Sequence, residues 1–369
     1  MRVTTALLLL LSASAAFAGQ LPVPGEARLD EMQFVATHNS YHQAPDSAIL
    51  DYLRNSGFND GPIWTGPRLA RAIDYSREPL SAQLDAGIRA LELDVRDDPE
   101  GDRFVRLPLA DELARRGSAL DRPWDPQGDM RRPGFKTIHK LAYDPRSSCP
   151  LFEHCLQEIA DWSDRHPDHE LITIMVEVKP VAGVPCDALC DDGWRRLETA
   201  LITRLGSKRI LAPLRTGQSW PTMRAVRGKV MILLLDSEST AASYRRFVAR
   251  GGADRIFTAL RPGKNRPLRP DGRSRIAILP EPGDPRIAIA RRMGMLVYTR
   301  ADAETEEARA NDTRRRDIAF ASGATFIATD YPMPDRRFSD YAVRFPGEAY
   351  VRCNPRSQSR ACKDDQAAR

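Results

Sequence analysis

Short apolar or β-branched runs alternate with longer amphipathic stretches along almost the whole chain. Eight of the runs read as strands: "QFVAT" (33–37), "IRALELDV" (88–95), "FKTIHK" (135–140), "LITIMVEV" (171–178), "KVMILLL" (229–235), "RIAIL" (275–279), "MLVYTR" (295–300) and "TFIAT" (325–329). Between them, "LFEHCLQEIADW" places Phe152, Leu156, Ile159 and Trp162 on one helical face, and "GWRRLETALITRL" does the same with Trp194, Leu197, Leu201 and Leu205. Strands alternating with helices imply βα units around a parallel sheet. Eight of them predict an α/β fold of the TIM-type (β/α)8 barrel kind, a single domain with insertions over residues 19–345, followed by a C-terminal tail at 346–369. A doubly wound sheet is the alternative, but no Gly-rich phosphate turn follows the first strand. A barrel carries its catalytic groups at the C-terminal ends of the strands and in the loops that follow.

The N-terminus changes the picture of where the chain works. Arg2, the apolar "ALLLLLSASAAF" and the small-x-small "AFA" before Gly19 read as a signal peptide over residues 1–18, with an N-terminal anchor as the rival reading. No later stretch approaches the roughly 18 apolar residues of a membrane span. The expectation is a secreted or periplasmic protein. Six cysteines in three close pairs, Cys149/Cys155, Cys186/Cys190 and Cys353/Cys362, fit disulfides in an oxidising compartment. A zinc site is the rival, but the spacings are irregular and no histidine is placed to complete it. The formal charge of +5 comes from 48 arginines and seven lysines spread through every segment. The densest run, "RPGKNRPLRPDGRSR" (261–275), reads as a solvated loop, so no nucleic-acid partner is expected. Basic surface would favour contact with anionic phospholipid.

The polar positions at the strand ends suggest chemistry. Alternation puts Glu92 and Asp94 on one face of "LELDV", and Glu177 with Lys179 on one face of "VEVKP". "TIHK" brings His139 to the same rim, and "FVATHNSYH" adds His38 and Asn39. Each has a plainer explanation: Arg89 and Arg96 pairing with the acids, Glu177 pairing with Lys179, a strand-end histidine serving packing. Together, Asn39, Glu92, Asp94 and Glu177 form an all-oxygen set with three negative charges, which suits Ca²⁺, or less well Mg²⁺, rather than zinc. Two histidines beside a metal-bound phosphate can divide the work of phosphodiester cleavage.

Read together, "ATHNSYH", "REPLSAQLDAGIRALELDV", "IHK", "VEVKP" and a late "ATDYP" resemble the secreted bacterial branch of the calcium-dependent phosphoinositide-specific phospholipases C, over about residues 30–335. The resemblance implies a TIM-type barrel that cleaves phosphatidylinositol to diacylglycerol and an inositol phosphate, by attack of the inositol 2-hydroxyl on phosphorus. It implies His38 as the first catalytic histidine and His139 as the general acid. Asn39, Glu92, Asp94 and Glu177 match the calcium ligands. Lys179, Arg300 and Asp330 are the candidate substrate contacts; Arg300, Asp302 and Asp330 are equally placed to orient a histidine or to form rim salt bridges. His42 reads either as a loop residue reaching the site or as a capping or surface residue. The segment 104–130 is expected to cover the site as an insertion. A monomer working transiently at a membrane surface is expected. Two rivals are a glycerophosphodiester phosphodiesterase, which shares the E-x-D pair but begins with His-Arg-Gly, and a catalytically dead barrel that binds headgroups.

Overall fold

The computed structural model describes residues 23–368 apart from 182, 184, 185, 187, 188, 216, 265 and 271, so the signal peptide read at 1–18 lies outside the described residues. Among the described residues, nine strands form one sheet: β1 (Met32–Thr37), β2 (Ala90–Val95), β3 (Ile172–Val178), β4 (Val230–Leu234), β5 (Phe257–Leu260), β6 (Ile276–Ile278), β7 (Leu296–Arg300), β8 (Phe326–Thr329) and β9 (Val351–Cys353). The first eight are parallel and pair in chain order. β1 bonds to both β8 and β2, which closes the ring. This is the eight-stranded parallel barrel that the alternation of strands and helices implies.

Strand alternation separates the side chains into two apolar bodies. Phe34, Ala36, Met175, Leu233, Leu296 and Phe326 point into the barrel and pack on one another. Their neighbours Val35, Leu93, Ile174, Val176 and Ile232 point outward, under Phe152, Leu156 and Ile159 of the helix Phe152–Arg165 and Trp194, Leu197 and Leu201 of the helix Asp191–Leu205. Those helix residues are the faces that the 3.6-residue period marks. Toward the C-terminal ends of the strands the inward positions turn from apolar to ionisable, and there the site begins.

One strand assignment is corrected. Residues 135–140 do not join the barrel, because β3 occupies the place beside β2 with six paired positions from Ala90↔Thr173 to Val95↔Val178. Instead, Lys136 makes single antiparallel bridges to Arg96 and Leu151 inside the long β2–β3 connection. Phe135 and Ile138 are buried there, and Lys136 is buried against Asp98 at 3.1 Å. The fifth barrel strand is Phe257–Leu260, which the sequence pattern passes over. A four-residue strand, with only Ile256 between it and an Asp-Arg pair and an Arg-Pro-Gly turn directly after it, is too short to show a period.

The C-terminal segment is built into the seam. β2 pairs with β1 only at Ala36 and Thr37, and β9 fills the gap below, antiparallel to β1 at Met32↔Cys353 and Phe34↔Val351. The Cys353–Cys362 disulfide ties the helix Arg360–Ala368 to it. Cys149–Cys155 and Cys186–Cys190 are also bonded, as sequential pairing predicts.

Two connections rise over the C-terminal mouth. The β1–β2 connection carries the helices Ser47–Asn55 and Gly66–Ala72, which pack with Leu109 and Leu113 of the helix Pro108–Arg115 and with Tyr143. The first two helices meet at Gly66, where a Cβ would stand 2.0 Å from the Leu53 carbonyl oxygen and 2.9 Å from that of Phe58. Backbone cannot yield there as a side chain would. Gly66→Ala is expected to lower stability by about 1–3 kcal/mol, the usual range for overpacking, seen as a lower calorimetric midpoint; an unchanged midpoint would contradict this close approach.

Candidate active site and metal centre

The motif at residues 37–40 is a locked turn. β1 hands its last bond to β8 through the His38 amide and the Thr329 carbonyl, 3.0 Å apart. The chain then reverses at Asn39, whose φ of +46° is left-handed, a conformation that Asn accepts more readily than most residues. Ser40 holds the reversal. Its Oγ lies 2.6 Å from Thr37 Oγ1 and accepts the Glu92 amide at 2.8 Å, while its own amide donates to the Glu92 carbonyl at 2.9 Å. Gln83 closes the turn by donating to the Ser40 carbonyl at 2.7 Å and accepting from Thr37 at 2.8 Å. His38 and Asn39 are thereby set between the ends of β8 and β2.

Beside them lies an acidic trio. One carboxylate oxygen from each of Glu92, Asp94 and Glu177 falls within 4.8 Å of the others. Asp94 and Glu177 are direct cross-strand partners, an arrangement that repels when both are ionised. Lys179 answers part of that charge, with Nζ 2.7 Å from Glu177 Oε1 and 3.3 Å from Asp94 Oδ2. Burial and the neighbouring Glu177 and Asp94 push the Glu92 carboxyl well above its usual range. Burial also raises Asp94, against the pull of Lys179. Burial would raise Glu177 as well, but the Lys179 ammonium overrides it and holds that carboxyl low. Three carboxylates and one ammonium leave a formal charge of minus two, the complement of one divalent ion.

The oxygens themselves fit a cation. Asn39 Oδ1 is buried without a hydrogen bond, and the buried Asp94 carboxylate, beside the Lys179 ammonium and the Tyr41 hydroxyl, has no well-formed hydrogen bond at either oxygen, a condition that costs free energy unless another partner satisfies it. Hard oxygen donors in an irregular set suit Ca²⁺. The arginines that might have neutralised the acids are used elsewhere. Arg89 pairs with Glu170 at 3.0 Å, and Arg96 binds the Ile138 carbonyl at 3.2 Å and the His139 carbonyl.

Two imidazoles face the same cavity, of about 340 Å³. His38 places Nδ1 2.7 Å from Asp330 Oδ1, while Nε2 looks toward Glu92 Oε1 at 3.8 Å and Arg300 Nη1 at 3.5 Å. Burial and the Arg300 charge bring its pKa down to about 4, although Asp330 opposes them. Asp330 is buried and gripped by Arg77 at 3.2 Å and Arg300 at 3.1 Å. Behind it, Asp302 accepts the Asp330 amide at 2.7 Å, and burial beside Asp330 pushes its carboxyl up to about 7. His139 places Nδ1 2.7 Å from Asp144 Oδ2. In each imidazole a carboxylate takes one nitrogen and leaves the other for the cavity, the arrangement of oriented acid–base histidines.

The expected residues are therefore gathered at one mouth, with differences. His139 arrives on the β2–β3 connection, not at a strand end. Lys179 faces the acidic trio and is not among the residues lining the cavity. Arg300 and Asp330 both line the cavity, with Asp330 serving His38 and Arg300 bracing Asp330. His42 is neither exposed nor a cap; its ring is fully buried. The segment 104–130 does not cover the site: its Leu109 and Leu113 pack behind the helices of the β1–β2 connection, and the wall is made by Asp60, Trp64, Leu69, Ile73, Tyr75 and Tyr143. No role for Asp144 shows in the sequence, and Arg77 stands there only as the first residue of "REPLSAQLDAGIRALELDV". Asp144 follows His139 by five residues in an irregular turn, a spacing that carries no periodic signal.

Comparison with known proteins agrees with this geometry. The family model described as phosphoinositide phospholipase C, Ca²⁺-dependent, matches residues 27–355. Among solved structures, the calcium-dependent phosphoinositol-specific phospholipase C of the Gram-negative bacterium Pseudomonas sp. is similar in fold. Its apo form described with a myoinositol complex is 15% identical, over 89% of this chain and 96% of that one, with a TM-score of 0.53. Its first apo crystal form is 16% identical, over 90% and 97%, with a TM-score of 0.54. A search of curated proteins returns no match. With the family match running from before β1 to beyond β9, this chain belongs to the Ca²⁺-dependent phosphoinositide phospholipase C family.

Proposed function

We propose that the protein cleaves phosphatidylinositol to diacylglycerol and a cyclic inositol phosphate, as an exported monomer that docks transiently on a membrane surface. The observation that carries this reading is the pair of carboxylate-held imidazoles on one cavity beside the acidic trio. Asn39, Glu92, Asp94 and Glu177 are the residues that would hold Ca²⁺, which supplies a positive charge against the phosphate. The inositol 2-hydroxyl forms the new bond to phosphorus and yields its proton to a carboxylate of the trio. A phosphate entering beside Nε2 of His38 favours the imidazolium form, so that His38, with Arg300 next to it, stabilises the negative charge that gathers on the phosphoryl oxygens. The bond from phosphorus to the glycerol oxygen then breaks, its electron pair stays on that oxygen, and His139 donates a proton from Nε2 to it. Lys179 balances the charge of Asp94 and Glu177. Three disulfides support export to an oxidising compartment, secreted or periplasmic. Among the described residues no helix is long and apolar enough to cross a membrane. Ile63, 62% exposed beside the cavity-lining Trp64, puts one apolar side chain at the edge of the mouth, where it would meet a lipid surface.

Diacylglycerol release from phosphatidylinositol is expected with calcium and absent with a chelator. His139→Ala is expected to lose about 10²–10⁴-fold in turnover while binding calcium as the wild type does. Release of glycerol phosphate alone from glycerophosphoinositol would point instead to a glycerophosphodiesterase, and no turnover to a headgroup-binding barrel.

Calcium affinity is expected to rise with pH. In the cation-free protein, burial and mutual repulsion raise the carboxyls of Glu92 and Asp94, so protons compete with the ion. As pH falls through those raised values the carboxyls protonate and affinity is lost; above them it is fully present. Calorimetry in buffers of different ionisation enthalpy should therefore record proton release on calcium binding, and less of it with Glu92→Gln, which should also bind calcium more weakly. No proton release in the wild type would remove Glu92 and Asp94 from the ligand set.

Ile63→Asp is expected to slow turnover on phosphatidylinositol vesicles and to leave turnover of a soluble short-chain phosphatidylinositol unchanged. Equal rates on vesicles would refute the docking edge.

A further inference from the structure

His42 lies behind the site, where its ring meets Tyr75 and Asp144 of the cavity wall and its backbone amide meets the Asn39 carbonyl. Its ring is fully buried and stacks on Tyr75 with centroids 4.1 Å apart. Both ring nitrogens face oxygens: Nδ1 is 3.0 Å from the Tyr75 carbonyl, and Nε2 is 2.7 Å from Asp144 Oδ1. A carbonyl only accepts, so Nδ1 donates to Tyr75. The other Asp144 oxygen is the one that holds Nδ1 of His139 at 2.7 Å. Asp144 is itself fully buried, and its side chain is shared between these two imidazoles.

Burial by itself would drive the Asp144 carboxyl up. The His42 charge, with the hydrogen bonds from both rings, reverses this and holds the carboxyl at about 2. A buried carboxylate with one oxygen left without a donor would bear a desolvation cost and would be free to turn away from His139. The contrast with His38 is informative. There the carboxylate, Asp330, is braced by two guanidinium groups, Arg77 and Arg300. At His139 the same service comes from an imidazole. The backbone of His42 is equally committed: its amide donates to the Asn39 carbonyl at 2.9 Å and its carbonyl accepts from the Arg77 amide at 2.8 Å. One residue thus joins the turn after β1 to the loop that carries His139.

We propose that His42 is a positioning residue for the reaction: by donating from Nε2 to Asp144 it fixes the carboxylate that orients His139, so that Nε2 of His139 points at the leaving oxygen. This inference rests on the reading of His139 as the general acid. In the step concerned, the phosphorus–oxygen bond to glycerol breaks, the electron pair remains on oxygen, and the proton on Nε2 of His139 moves to it. His139 is left with its Nδ1–H on Asp144.

Two substitutions separate the two hydrogen bonds of His42. His42→Gln keeps an amide N–H near the position of Nε2, toward Asp144, and loses the one toward Tyr75. His42→Asn does the reverse. Turnover is measured on phosphatidylinositol, whose alkoxide leaving group needs a proton, and on a 4-nitrophenyl ester of inositol 1-phosphate, whose phenolate leaves without one. The ratio of the two turnovers in a single preparation is independent of how much of that preparation is folded. His42→Asn is expected to lose about 10- to 100-fold in kcat on phosphatidylinositol, less than about threefold on the aryl ester, with KM unchanged for both. His42→Gln is expected to keep the wild-type ratio within about threefold. Losses in proportion on the two substrates, or equal behaviour of the two variants, would overturn the positioning role. His139→Ala distinguishes that failure from failure of the underlying reading. If it loses turnover selectively on the alkoxide substrate while His42→Asn does not, the positioning role alone is overturned. If His139→Ala loses both in proportion, the acid assignment falls and the inference falls with it.

Discussion

Two carboxylates placed opposite each other across β2 and β3, with a third beside them, set the terms for everything at this mouth of the barrel. Asp94 and Glu177 share a cross-strand register position, and Glu92 is two residues before Asp94 on the same face. Like charges in a buried, low-dielectric place repel strongly, so the fold cannot hold them without positive charge nearby. Lys179 supplies one unit from the same face of the chain that carries Glu177. The charge deficit that remains, with Asn39 Oδ1 unpaired and the Asp94 oxygens without well-formed hydrogen bonds, is what gives the site its demand for a divalent cation.

The barrel makes this arrangement affordable by layering. Below the mouth, inward positions are filled with Phe34, Met175, Leu233, Leu296 and Phe326, and β9 closes the weak seam between β1 and β2. That packed floor and the larger apolar layer between strands and helices together supply the stabilising burial. The polar layer above it can then be arranged for chemistry. Its side chains come from strand ends that the ladder register fixes, and from one turn, residues 37–40, that Ser40 and Gln83 lock.

The two imidazoles reach the cavity by different routes and are held by different means. His38 is delivered by β1 and braced by Asp330 with two guanidinium groups behind it. His139 is delivered by a long connection, so its placement depends on loop contacts: Arg96 on its carbonyl and Asp144 on its ring. Loops that carry catalytic groups need such bracing, because no ladder of backbone hydrogen bonds fixes them. The buried position of His42 follows from that need.

By itself, the sequence determined most of the strand–helix alternation, the close spacing of three cysteine pairs and the identity of the oxygen and imidazole groups, because these depend on period-2 and period-3.6 patterns and on residue chemistry within a few positions. It placed Glu92 with Asp94, and Glu177 with Lys179, on shared faces for the same reason. Which cysteines bond was decided by the folded chain. Only the tertiary structure decided which run is the third barrel strand, since Phe135 and Ile138 are as apolar as a strand's residues yet pack within a connection. It alone decided that Phe257–Leu260 completes the ring, that β9 enters the seam, and that the β1–β2 connection rather than segment 104–130 walls the cavity. The pairings of His38 with Asp330, 292 residues apart, and of His42 with Asp144, 102 apart, leave no local pattern. They arise where closure of the barrel brings distant strand ends and loops to one rim, and proximity of that kind is a property of the folded chain.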